Sequence, residues 1–167
     1  AIEHPSVLQS CKFLENFNFK TTILPVDKEG FINIEKLKAS ITKETALVSI
    51  QYVNNEIGSI QNIKEISKIC KDSNVLFHTD ACQANYEDLN LKTLNVDLLT
   101  LNSNKFHGPH LGLLYVKEGI KLEPLIHGGG QQNNLRSGTE DLSCIAGFAL
   151  ALELLFKTKE KESAKIK

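Results

Sequence analysis

Ala46-Leu47-Val48-Ser49-Ile50 is an almost unbroken apolar run, too short for a buried helix and too uniform for an element with one wet face. Such a run fits a strand covered on both sides, as in a parallel sheet. Val75-Leu76-Phe77, Leu98 to Leu101 and Leu111 to Val116 repeat the pattern, and Thr21 to Leu24 reads as a further strand. Segments of helical spacing lie between and around these runs. Val7, Leu8, Cys11 and Leu14 follow Pro5, which is tolerated in a first helical turn. A turn at Asp27-Lys28-Glu29-Gly30 precedes a short helix from Ile34 to Ile41. Asn62 to Glu65 is a capping-box-like start for a helix whose inner face is Ile63, Ile66, Ile69 and Cys70. Ile145, Phe148, Ala149, Leu152, Leu155 and Phe156 mark one face of a long final helix. Strands alternating with helices predict an α/β layer structure with a mainly parallel sheet.

The 167 residues suffice for one domain with a substantial core. A hydrophobic content of 41%, a charged content of 23% and a formal net charge of -1 predict a soluble globular protein. No basic stripe or long apolar span is present, so neither nucleic acid nor membrane is an expected partner. Cys11, Cys70, Cys82 and Cys144 are widely spaced and form no CxxC pair. A metal or disulfide framework is therefore not expected, and a reducing, cytoplasmic setting is. The opening Ala1-Ile2-Glu3-His4-Pro5 has no lead-in strand, and the chain closes on the charged run Lys157 to Glu162. These ends predict a segment of a longer chain, with residues 1–156 forming the domain and 157–167 a charged helical extension.

In parallel α/β sheets ligands bind beyond the carboxyl ends of the strands. Asn54-Asn55, Asp80 and Lys105 each follow the end of an expected strand, so the polar groups converge on one sheet edge. A lysine and a carboxylate so placed are what pyridoxal phosphate (PLP) chemistry requires. The amine forms a Schiff base with the cofactor aldehyde, and the acid keeps the pyridine nitrogen protonated. Other motifs have two readings each. Val53-Asn54-Asn55-Glu56-Ile57-Gly58 reads as a turn with a left-handed asparagine or as a pair of binding amides. His127-Gly128-Gly129-Gly130-Gln131 reads as a phosphate cradle or as a flexible connection. Arg136-Ser137-Gly138-Thr139 reads as an anion site at a helix N-terminus or as a plain helix start.

Taken in order, Val53 to Gly58, His78-Thr79-Asp80-Ala81-Cys82-Gln83, His127 to Gly130 and Arg136 to Thr139 resemble the cysteine desulfurases of the NifS/IscS type. These are fold-type I PLP enzymes (aminotransferase class V) related to aspartate aminotransferase. The resemblance runs from Glu3-His4 to the helix after Thr139. It implies the large PLP-binding domain of that fold, a three-layer α/β/α sandwich.

Roles follow from the resemblance residue by residue. Lys105 matches the Schiff-base lysine that also moves protons, and Asp80 matches the partner of the pyridine N–H. Gln83 matches the donor to the ring's phenolate oxygen. His4 matches an imidazole that stacks on the cofactor; alone, it would read as a capping or surface residue. Asn55 matches an amide near the cofactor oxygen and the bound amino acid. Thr139 matches a hydroxyl that reaches the phosphate of a neighbouring subunit, which implies a homodimer. His78 also fits the pattern, with a strand-end structural role as well. The family's serine three residues before the lysine and its histidine directly before it are here Asn102 and Asn104, leaving Ser103 as the substitute on the phosphate side. Gly108-Pro109-His110-Leu111-Gly112 is shorter than the family's loop. Cys82, next to Asp80, reads as structural rather than as a nucleophile.

The resemblance implies conversion of L-cysteine to L-alanine. Sulfur passes through a persulfide to an acceptor or iron–sulfur scaffold protein. The family's upstream glycine-threonine phosphate turn, its loop cysteine and its carboxylate-binding arginine have no match in these 167 residues. This chain alone is therefore expected to be inactive. A selenocysteine lyase or a transaminase would share the same cofactor set. Asn102 and Asn104 leave a non-catalytic scaffold paralogue as the reading from another class.

Overall fold

The structure, a computed structural model, describes residues 1–166. Lys167, the last residue of the expected extension, lies outside them. In chain order the elements are α1 (Pro5–Leu14), α2 (Ile34–Ser40), β1 (Leu47–Ser49), α3 (Ile63–Asp72), β2 (Leu76–Asp80), α4 (Leu91–Leu94), β3 (Leu98–Asn102), β4 (Gly112–Val116) and α5 (Leu142–Ile166). Short 3-10 turns cover Glu15–Phe17 and Ser103–Phe106.

The strands form one sheet in the order β1-β2-β3-β4, with the first three parallel and β4 antiparallel to β3. Connection length explains the difference. Parallel neighbours need a crossover, which α3 and α4 provide, whereas a short link returns the chain antiparallel. The expected α/β architecture with a mainly parallel sheet is observed.

Register sorts the side chains. Val48 pairs with Phe77 and Thr79 with Leu99, and with Leu101 these face one side of the sheet. That side forms the core with Ile63, Ile66 and Cys70 of α3 and Phe148, Ala151 and Leu155 of α5. The alternate residues Leu47, Leu76 and Leu114 remain 47%, 39% and 50% exposed. His78 and Asp80 belong to this second set but lie at the carboxyl end of β2, where loops enclose them.

Local sequence accounts for the helix starts. Asn62 Oδ1 accepts the Glu65 N–H at 3.4 Å while its amide donates to the Glu65 carboxylate at 2.9 Å, which realises the capping box. Asn33 and Asn90 cap α2 and α4 by accepting the N–H groups of Lys36 and Lys92. The strand expected at Thr21 to Leu24 does not form. The only pairing nearby is a single bridge between Val26 and Ile32. β-branched residues favour a strand only where a neighbour supplies the ladder, and among the described residues none does.

Ile66 is fully buried against the sheet. Ile66→Ala should cost about 2–5 kcal/mol of unfolding free energy, read from urea denaturation midpoints at constant slope.

Candidate active site

Hydrogen bonds of the parallel ladder continue past the strand ends. The Ile50 N–H donates to His78 O at 3.1 Å, the Tyr52 N–H to Asp80 O at 2.9 Å and the Ala81 N–H to Thr100 O at 3.0 Å. Three loops therefore leave the same edge in fixed register. The first is a hairpin, closed by Gln61 N–H to Tyr52 O at 2.9 Å and Asn54 N–H to Ser59 O at 3.0 Å. At its tip Asn54 Oδ1 accepts the N–H groups of Glu56 and Ile57 at 2.9 and 3.0 Å. The left-handed residue is Gly58, at φ 71°, not an asparagine as expected. Asn54 spends its side chain on the turn and needs no unusual backbone.

Asp80 is 6% exposed, and its Oδ1 accepts the Cys82 N–H at 3.0 Å. It takes part in no ion pair among the described residues. Cys82 reports on its surroundings. Burial and the Asp80 carboxylate push its thiol up to about 12, and the positive charge of Lys105 opposes them. Asp80 and Lys105, distant in sequence, thus act on one side chain. Gln83 lies half-buried in the turn directly after β2.

Beneath the edge, His78 Nδ1 lies 2.7 Å from Ser49 Oγ, and its Nε2 lies 3.4 Å from Thr100 Oγ1. Burial lowers the His78 pKa and Asp80 counteracts this. Hydroxyls on both neighbouring strands fix the ring, which is the strand-end role expected of it.

Lys105 sits exposed on the 3-10 turn that β3 feeds. Asn102 Oδ1 caps that turn by accepting the Asn104 N–H at 3.1 Å, and Asn85 donates to Lys105 O at 2.6 Å. Ser103 requires a correction. It is 0% exposed, and its hydroxyl has no hydrogen-bond partner among the described residues. A Cβ on Gly108 would lie 2.1 Å from that hydroxyl and 3.0 Å from Ala151 Cβ. Ser103 fills space under the glycine and has no access to a ligand.

His4 is exposed and caps α1. Its Nδ1 accepts the Ser6 N–H at 3.2 Å, so in the neutral ring the proton resides on Nε2. Asn55 is exposed on the hairpin, and its Oδ1 accepts from Gln51 Nε2 at 3.3 Å. The glycine loop is pinned rather than loose: the Gly130 N–H donates to Ser137 Oγ at 3.3 Å and the Gly138 N–H to Gln131 Oε1 at 2.9 Å. Thr139 is exposed, three residues before α5. The helix start itself is occupied by Asp141, whose Oδ1 accepts the Cys144 N–H at 3.0 Å. That carboxylate takes the place of an anion at the first turn.

The donor set suits PLP. An enclosed carboxylate lacking a cation fits a protonated pyridine nitrogen, and an exposed amine near the same thiol fits the cofactor aldehyde. Sequence reasoning assigned no role to Glu3, Gln51, Ser49 or Thr100, which support the edge. Their signal was position: each is a polar residue beside a strand end or beside His4. No helix of the described residues is long and apolar enough to cross a membrane.

The aminotransferase class-V family profile matches residues 1–167. The cysteine desulfurase IscS of Clostridium botulinum (strain Kyoto / Type A2) is 48% identical over 167 residues, covering 99% of this chain and 42% of the relative. Among solved structures, a NifS-like protein superposes with a TM-score of 0.92 at 39% identity, covering 96% of this chain and 45% of that one. A structure described as SspA in complex with cysteine gives 0.87 at 39% identity, covering 91% and 45%. The chain thus spans less than half the length of the relatives it matches.

Two outcomes test this geometry. With its pKa near 12, Cys82 in cofactor-free protein should react with iodoacetamide at pH 8 more than about a thousandfold slower than a thiol of pKa about 8.5. Asp80→Asn should speed it; an unchanged rate by peptide mass spectrometry would remove Asp80 from the environment of Cys82. Ser103→Ala deletes an unsatisfied buried hydroxyl, so its unfolding free energy from urea denaturation should match that of the parent or exceed it by up to about 1 kcal/mol.

Proposed function

The chain belongs to the aminotransferase class-V family, and on that premise we propose that it is the cofactor-binding portion of a PLP-dependent cysteine desulfurase. One observation carries the reading. Asp80 is a carboxylate enclosed at the carboxyl end of a parallel strand, with an N–H on one oxygen and no cation beside it among the described residues. An unpaired charge so placed is costly, and a pyridinium nitrogen is the partner that would offset it.

When bound, PLP supplies the electron sink for chemistry at the substrate α-carbon. The chain's own residues do the rest. Asp80 would hold the ring nitrogen and keep it protonated, and Gln83, three residues further on, would offer its amide to the phenolate oxygen. His4 would hold the cofactor ring, and the Asn55 amide would bind the amino acid. Lys105 would tether the cofactor and serve as the general base at the α-carbon, a role that its exposed position permits. Ser103 shapes the turn that carries Lys105.

The substrate in this reading is L-cysteine, released as L-alanine while its sulfur passes to a protein thiol as a persulfide. A sulfur-acceptor or iron–sulfur scaffold protein then receives it. The relatives' names, cysteine desulfurase and a complex with cysteine, support this choice. We place the enzyme in the cytoplasm, in keeping with its free cysteines. Thr139 would complete the phosphate site of a second subunit. Leu125 and Leu142, bracketing its loop, leave large apolar side chains in water that a homodimer would cover.

The test uses full-length protein loaded with PLP. Borohydride reduction followed by peptide mapping should fix the cofactor on Lys105. Lys105→Ala should lose that adduct, and alanine formation from cysteine should fall by about 10²–10⁴-fold. A reduced adduct on another lysine would overturn the assignment.

A further inference from the structure

The N-terminal segment bearing His4 is held to the sheet edge by a set of polar contacts from residues that carry no assigned role. Helix α1 buries none of its residues fully, and the His4 ring bonds only to Ser6 of its own helix among the described residues. Apolar packing therefore does little to set where His4 stands. Two longer ties do. The Gln51 N–H donates to Glu3 Oε1 at 2.7 Å, and Asn54 Nδ2 donates to Ile2 O at 2.7 Å. They join residues 48 and 52 positions apart in the chain.

The ladder explains why an acceptor is needed there. The N–H groups of Ile50 and Tyr52 point to β2. That of Gln51, between them, points the other way, away from β2 and toward the Ala1–His4 segment. Glu3 supplies the acceptor that this N–H needs. Gln51 and Asn54 are both buried and bonded to each other at 3.1 Å, and Gln51 also reaches Asn55 at 3.3 Å. One network therefore links the His4 segment to the loop that carries Asn55.

We propose that Glu3 is a positioning residue: by clamping the His4 segment onto Gln51, it fixes the His4 imidazole and the Asn55 amide relative to each other. This rests on the PLP reading for what His4 does, but not for the clamp itself. The second carboxyl oxygen, Oε2, is enclosed and has no partner among the described residues. Burial, with a smaller contribution from Asp80, pushes the Glu3 pKa up to about 7, while the Gln51 N–H pulls it down. A carboxyl that is easily neutral keeps a second full negative charge away from Asp80.

The experiment compares Glu3→Gln, which retains the acceptor and the volume, with Glu3→Leu, which retains only the volume. Each is made in full-length protein, alone and with His4→Ala. In cofactor-free protein the His4 ring resonances should keep their parental positions in Glu3→Gln and move in Glu3→Leu. In the PLP-loaded protein Glu3→Leu should lower kcat about tenfold or more with KM within about twofold, since a displacement of about 1 Å can cost that much. Glu3→Gln should stay within about twofold of the parent, and Glu3→Leu should cause no further loss on the His4→Ala background. Glu3→Asp, whose carboxyl is drawn back by one methylene, enters the same cycle and reports if the leucine variant does not fold. Unmoved His4 resonances, or a loss that persists in full without His4, would overturn the clamp. Failure of the parent to carry PLP on Lys105 would overturn the proposed function instead, leaving the resonance test of the clamp intact.

Discussion

The parallel ladder joining β1, β2 and β3 is the constraint on which everything at the site depends. Its hydrogen bonds do not stop where the regular strands stop: they run on through Ile50, Tyr52 and Ala81. Because all three strands point the same way, all three chain exits lie at one edge. The hairpin with Asn55, the turn with Asp80, Cys82 and Gln83, and the 3-10 turn with Lys105 are held in mutual register by main-chain bonds. Side chains add to this from below. The Thr79 hydroxyl donates to Ile50 O at 2.8 Å, and His78 joins hydroxyls from the strands on either side.

On that frame sits an electrostatic arrangement concentrated in few groups. Asp80 raises the pKa of Cys82 and adds to that of Glu3, while Lys105 acts on Cys82 in the opposite sense. The Asp80 carboxylate contributes to both shifts, after burial. Cys82 remains a thiol in this setting, which keeps the nucleophilic chemistry of sulfur away from the base of the site. Much of the rest of the edge is polar and uncharged: Ser49, Gln51, Asn54, Asn55, Gln83 and Thr100. Such groups can be enclosed cheaply if their hydrogen bonds are made: the Gln51 side chain bonds to those of Asn54 and Asn55, and that of Asn54 also donates to Ile2 O.

Several elements were legible because their causes are local. The capping box at Asn62 and Glu65, the amphipathic face of α3 and the apolar runs of β1 to β3 need only their own residues to be recognised. The strand at Thr21 to Leu24 was not, because a strand exists only with a ladder partner, and the residues themselves carry no record of one. Ser103 was misread for a related reason. Sequence places it two residues before Lys105, but whether it faces a ligand depends on the 3-10 turn, which aims it at Gly108 and α5. The helix start after Thr139 has two readings in the sequence, an anion site or a plain start, and Asp141, two residues on, caps it.

By itself, then, the sequence determined the α/β class with a mainly parallel sheet and singled out the candidate chemistry-bearing residues, since periodicity and residue type are properties of short stretches. Tertiary structure alone decided which of those residues are enclosed and which are open. It also decided that Lys105 and Asp80 both act on the Cys82 thiol, and that the Glu3 carboxyl accepts the Gln51 N–H. These facts depend on contacts between positions tens of residues apart, and only the register of the folded sheet fixes such contacts.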